Sequence, residues 1–268
     1  MRQRLPRRVV LALAGLLFVA AGQGGCAQHR NPAPPRELTV MVSGAFEHTM
    51  RELAPEYERR SGVHLIIVTG PSMGATRNAI PNRLERHEPA DVVILARESL
   101  DRLSGAGKVR PQSVRDLVLS PIAAAVKAGA PIPDISTPQA LRDTLLQARS
   151  IAYSDSASGV YISTQLFPRL GIADAMAGKA RKIEAVPVGL IVARGEAEIG
   201  FQQLSELKPI AGIRIIGLLP PELQKITRFS AGVVSYSANP KEGAMLIAFL
   251  HSRYARRIQI ENGLEPAP

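Results

Sequence analysis

The sequence predicts an α/β protein built as two lobes. Three observations carry this. Residues Glu37 to Leu95 read as strand, polar turn and helix, and then repeat that order. The same alternation resumes at Ile151 and implies α/β layering with mostly parallel sheets. Extended segments near residue 118 and near residue 230 mark two crossings, as expected where one lobe is inserted in another. Lobe one is then 36–117 with 230–268, and lobe two is 118–229. The cleft between such lobes is the expected ligand site.

The elements follow in order. Leu38-Thr39-Val40-Met41-Val42 is a strand running into Ser43-Gly44-Ala45. The next helix places Phe46, Met50, Leu53 and Tyr57 on one apolar face and should end at Gly62, with Pro55 kinking or breaking it. Leu65-Ile66-Ile67-Val68 leads into a second polar turn and a helix opening near Ser72, which Pro81 interrupts. Asp91 to Leu95 is a buried strand. Beyond the first crossing, Pro138 starts a helix, and Ile151-Ala152-Tyr153 leads into Ser154 to Gly159 and a helix over Val160 to Leu170. A further helix opens at Val186-Pro187-Val188-Gly189. Glu198 to Phe201 and Ile213 to Ile216 are strands. Ala231 to Tyr236 returns as a strand, and helices Pro240 to Leu250 and Ser252 to Ile260 close the chain.

The polar turns gather backbone N–H donors and helix N-termini at one edge of a sheet, an arrangement that binds anions. Bulk properties agree with such a ligand. The 268 residues begin with a basic segment (Arg2, Arg4, Arg7, Arg8) and an apolar run from Val9 to Ala21, the pattern of an export signal. Cys26, the single cysteine, follows Gly24-Gly25 at the place of a lipoprotein cysteine, although Gln23 departs from that pattern. Lipidation of Cys26 and simple cleavage nearby therefore both stay open. Residues 1–26 form the leader and 27–35 a Pro-rich linker, and a periplasmic monomer is expected. One cysteine makes no disulfide, so stability rests on burial. The formal charge is +10, and it is +6 without residues 1–26, which hold four arginines and no acid. The basic residues are scattered, with no basic stripe interleaved with aromatics, which argues against nucleic acid.

Five segments, in this order and spacing, carry a resemblance: Glu37-Leu38-Thr39-Val40 with Glu52 to Glu58, Pro89-Ala90-Asp91-Val92-Val93-Ile94, Ser158-Gly159-Val160-Tyr161, and Gly263-Leu264. From Glu37 to Leu264 the chain resembles the type II periplasmic solute-binding proteins of the molybdate-binding-protein-like branch. The resemblance implies a ligand cleft joined by two crossing strands, capture of a small anion by lobe closure, and an ABC permease as partner. It also implies a site of serine hydroxyls, backbone N–H groups and a tyrosine hydroxyl around a tetrahedral oxyanion. The family's first serine falls on Ala45 and its tyrosine on Gln203, while Ser72 is kept and the backbone positions fall on Ser158 and Val186.

Losing two hydroxyls points away from molybdate and toward an organic polycarboxylate. Gln203 can donate and accept, and Arg77 can pair bidentately with a carboxylate. The expected binding residues are Ser43, Gly44, Ala45, Ser72, Met73, Gly74, Arg77, Ser158, Val186 and Gln203. The family's neighbourhood includes an exported enzyme, aconitate isomerase, which implies an alternative: an allylic proton shift on an unsaturated tricarboxylate. That chemistry needs one base reaching two carbons, and donors for the dienolate. Glu47 and His48 are the candidate bases.

Other chemistries lack their signatures. No H-E-x-x-H or His/Cys ligand spacing, no G-x-S-x-G and no G-x-G-x-x-G is present, and no cofactor is expected. Ser205-Glu206-Leu207-Lys208 matches S-x-x-K without its companion motifs and reads as coincidence.

Overall fold

A computed structural model describes residues 36–268. The leader and Cys26 lie outside the described residues. Among the described residues eleven strands form two sheets. They are β1 (Arg36–Val42), β2 (Val63–Thr69), β3 (Val92–Ala96), β4 (Arg115–Ser120), β5 (Ile122–Lys127), β6 (Ile151–Ser154), β7 (Ala180–Ile183), β8 (Ile199–Gln203), β9 (Ile213–Leu218), β10 (Thr227–Val233) and β11 (Glu265–Pro266). The first sheet has the order β11-β4-β10-β3-β1-β2 and the second β7-β6-β8-β5-β9. The chain passes from the first sheet to the second at Pro121 and returns between Leu218 and Thr227.

The sheets are mixed rather than mostly parallel. β1 pairs in parallel with β2 and β3, and β6 with β7 and β8. The strands next to the crossings run against their neighbours: β10 against β3 and β4, and β5 against β8 and β9. A strand that carries the chain between lobes enters each sheet from the cleft side, opposite in direction to the strands of the βα units.

Helix Gly44–Ser61 buries Phe46, Met50, Leu53 and Tyr57, the apolar face set by their spacing. Burying each such side chain contributes roughly 1.5–3 kcal/mol. The helix ends at Gly62, which is left-handed at φ 68° and caps the Glu58 carbonyl. Pro55 neither breaks nor ends it, because an exposed ring leaves the packed face intact. The second helix does not open at Ser72. It spans Ile80–Glu85, with Pro81 in its first turn, where proline's missing N–H costs no hydrogen bond. Ser72 to Ala79 are bends and turns.

In the second lobe, Thr137 caps helix Pro138–Gln147 by accepting from the Ala140 N–H. The helix expected from Val160 begins earlier, at Ala157, and continues through a π-helical segment, Ile162–Leu166, to Arg169. The return strand also begins before Ala231, at Thr227. Among the described residues no helix is long and apolar enough to cross a membrane.

Candidate functional site

The ends of β1, β2, β6 and β8 meet a cavity of about 380 Å³, within the roughly 300–1,000 Å³ of small-ligand sites. Its walls come from both sheets. Gly44, Glu47, Thr69, Gly70, Pro71 and Asn78 line the side of the first. Ser154 to Ser156, Ala185 to Pro187, Gln202 and Glu206 line the side of the second. The lobes touch beside it. The Ser72 N–H donates to the Ser156 hydroxyl at 3.1 Å, and the Ser205 hydroxyl donates to the Ala45 carbonyl at 2.8 Å.

Of the expected binding residues, Gly44 and Val186 line the cavity. The others sit around it or away from it. Ser43 is buried as the N-cap of the first helix, its hydroxyl without a hydrogen-bond partner. Ala45 contributes its carbonyl to the contact with Ser205. Ser72 has both polar groups engaged, its Oγ accepting from the Ala96 N–H at 3.0 Å. The Ser158 hydroxyl lies 3.0 Å from that of Ser154. The Ser72 hydroxyl expected in the cradle is thus bonded within the protein, while that of Ser43 is not.

Met73 faces a different inter-lobe recess, with Ala157 and Thr227. Gly74 has φ 108°, and a Cβ there would come within 3.1 Å of the Asp155 carbonyl. Arg77 is not one turn into a helix. It is exposed in the loop before Ile80, lies outside the cavity lining, and its carbonyl accepts from Arg86.

Gln203 is buried at the crossing strands, not in the cavity. Its amide lies 3.0 Å from the Thr227 hydroxyl. With its oxygen toward Thr227, the NH2 group donates to the Ser120 carbonyl at 3.1 Å and the Pro121 carbonyl at 3.2 Å. Strand alternation sends its neighbour Gln202 to the opposite face, and that residue lines the cavity. Glu47 lines the cavity too, with its carboxylate 2.8 Å from Arg51. His48 lines a neighbouring recess, 3.3 Å from Glu52.

The chemically distinctive residue is Glu206, which sequence reasoning missed. It follows β8 in the short helix Leu204–Leu207. Its Oε2 accepts from Gln202 Nε2 at 2.5 Å and packs against Gly44, where a Cβ would lie 2.5 Å away. Burial pushes its carboxyl up to about 8, with the carboxylates of Asp155 and Glu47 adding to the effect and the Gln202 bond opposing it. Burial also raises Asp155, whose Oδ2 has no hydrogen-bond partner; nor has Thr69 Oγ1. The only sequence signal for Glu206 was its place just past a strand end that carries two glutamines.

Among the described residues, no lysine or arginine lines the cavity, and no cluster of three potential metal ligands occurs. The N–H groups of Gly44 and Ala45 open the helix at one wall, where an α-helix supplies no acceptor of its own, while the Phe46 N–H donates to the Ser43 carbonyl at 3.0 Å. Ala185, at φ 60°, holds a strained backbone on the opposite wall.

The chain belongs to the bacterial extracellular solute-binding proteins, whose family model matches residues 38–265. It shares its fold with the periplasmic molybdate-binding protein of Azotobacter vinelandii (TM-score 0.69, 22% identity, 86% of this chain and 99% of that one). The sulfate-binding protein SubI of Mycobacterium tuberculosis H37Rv shares it as well (TM-score 0.65, 16% identity, 87% of each chain). Among curated proteins, an aconitate isomerase from Pseudomonas sp is 49% identical over 263 residues, 98% of each chain. Family membership implies a periplasmic location and a role in binding a solute.

Proposed function

We propose that this protein binds an unsaturated tricarboxylate between its lobes and interconverts cis- and trans-aconitate by an allylic proton shift. One observation carries the reading: Glu206, a carboxyl on the cavity wall, is held in a range where it can both take and return a proton near neutrality. The 49% identity to a protein named aconitate isomerase supports it. Glu206 in its ionised form removes a proton from the methylene carbon. The electron pair moves into the adjacent C=C and is delocalised onto a carboxylate as a dienolate. Protonated Glu206 then returns the proton to the former vinylic carbon. The double bond has moved one position, and no atom is gained or lost. In this reading the Thr69 hydroxyl and the Gly44 amide, both on the cavity wall, hold the ligand's carboxylates. This reading takes the role of base from Glu47 and His48, whose carboxylate and imidazole have partners on their own helix.

Proton NMR of the purified protein with cis- or trans-aconitate in heavy water tests it. Interconversion with deuterium entering the exchanging carbon is expected. Tight binding without exchange would sink the isomerase and leave the second reading, a receptor that captures an organic polycarboxylate by lobe closure. The hydrogen bonds already bridging the lobes favour that second reading. Stabilisation in a thermal-shift screen by molybdate or tungstate alone, with none by citrate or aconitate, would count against both. Export through the leader and lipid attachment at Cys26 remain part of the proposal; mass spectrometry of the mature N-terminus tests them.

A further inference from the structure

Gln202 is buried, only 3% exposed, and both ends of its amide are engaged. Its Oε1 accepts from the Val188 N–H at 2.9 Å, at the start of helix Val188–Ala193. That bond fixes which way the amide faces. Its Nε2 is therefore the atom presented to Glu206 Oε2, at 2.5 Å. Gly44 closes the other side of the same oxygen, and no larger residue fits there without moving the carboxyl.

We propose that Gln202 is a positioning residue, clamped by the Val188 N–H so that its NH2 group holds the Glu206 carboxyl in one orientation toward the cavity. This rests on the isomerase reading for its consequence in the reaction, although the clamp itself is independent of it. A fixed donor on Oε2 leaves Oε1 as the oxygen that exchanges the proton with the substrate carbons. The same donor favours the ionised form, opposing burial and the carboxylates around it. The charged groups sharing these recesses with Glu206 are Glu47, His48 and Arg51 on the first helix and Asp155 after β6. None of the four is hydrogen-bonded to the Glu206 carboxyl, so the donor side of its environment is Gln202.

The test uses Gln202→Leu and Gln202→Met, both of which remove the donor and the acceptor without placing a charge beside Glu206. The probe is the carboxyl carbon of Glu206 in 13C-glutamate-labelled, ligand-free protein, assigned by its loss in Glu206→Gln. Its titration midpoint is expected to rise by about one pH unit in each variant. In the wild type, kcat/KM for aconitate should rise with pH through the same midpoint, and that rise should move with it in the variants while KM changes little. An unchanged midpoint in either folded variant would overturn the clamp. So would a loss of rate that is equal at every pH and accompanied by a raised KM. Absence of any isomerisation by the wild type would overturn the parent reading alone, because the carbon titration needs no turnover.

Discussion

Gln202 and Gln203 carry the same side chain, and the pleat of β8 gives them different neighbours. Gln202 meets Val188 and Glu206 at the cavity, whereas Gln203 meets Thr227 at the crossing strands. Glu206, four residues past Gln202 in the short helix after β8, is the residue on which function should turn. Glu206→Gln is expected to lower isomerisation by about 100-fold or more while aconitate still binds. Rate assays with calorimetry on one preparation check this, and a rate within a few fold of wild type would exclude Glu206 as proton carrier. The same carboxyl has a consequence for stability. Its folded value is raised from 4.5 to about 8, so the folded protein holds the proton more tightly than the unfolded chain. The group costs no stability below the unfolded value. The cost grows as pH climbs from 4.5 to about 8 and then levels off. Glu206→Gln should therefore gain stability relative to wild type across that window. Thermal midpoints measured at steps of pH will show it, and parallel curves would refute it.

At the scale of elements, the first helix and the turn after β6 shape the two walls. The helix Gly44–Ser61 tolerates Pro55 because the ring faces solvent, yet the residue still forfeits an intrahelical hydrogen bond. Pro55→Ala should stabilise the protein by on the order of 1 kcal/mol, less than the full propensity difference because proline also restricts the unfolded chain. Chemical denaturation with an unchanged slope is the measurement. Gly159 has the opposite character. A Cβ there would run into the Ser154 backbone, so even alanine must push the turn that carries Ser154 to Ser156. Gly159→Ala should destabilise by about 1–3 kcal/mol and weaken ligand binding together. Lost stability with unchanged affinity would mean that the turn does not shape the cavity.

For the whole molecule, function depends on how readily the lobes close. The Ser205 hydroxyl bridges to the Ala45 carbonyl from one lobe to the other. A net hydrogen bond is worth about 1 kcal/mol, so Ser205→Ala should weaken binding by roughly 5-fold if that bond forms only on closure. Titration calorimetry gives the affinity, and small-angle scattering should show a larger ligand-free fraction of open molecules. Equal affinity would mean that the contact persists in the open form.

The sequence by itself determined the α/β architecture, the first helix with its apolar face and its stop at Gly62, and the turns that gather around a cleft. Those features follow from periodicity and from residues that cap or break elements locally. Only the tertiary structure decided which polar groups are free for a ligand. The side chains of Ser72 and Gln203 looked available in the chain, but neighbours more than twenty residues away in sequence satisfy both. In the chain Glu206 stood only within a coincidental S-x-x-K match. Its carboxyl is raised because Gly44, distant in sequence, leaves room for it at the cavity wall, where packing desolvates it. Desolvation depends on what surrounds a group in space, and spacing along the chain does not record it.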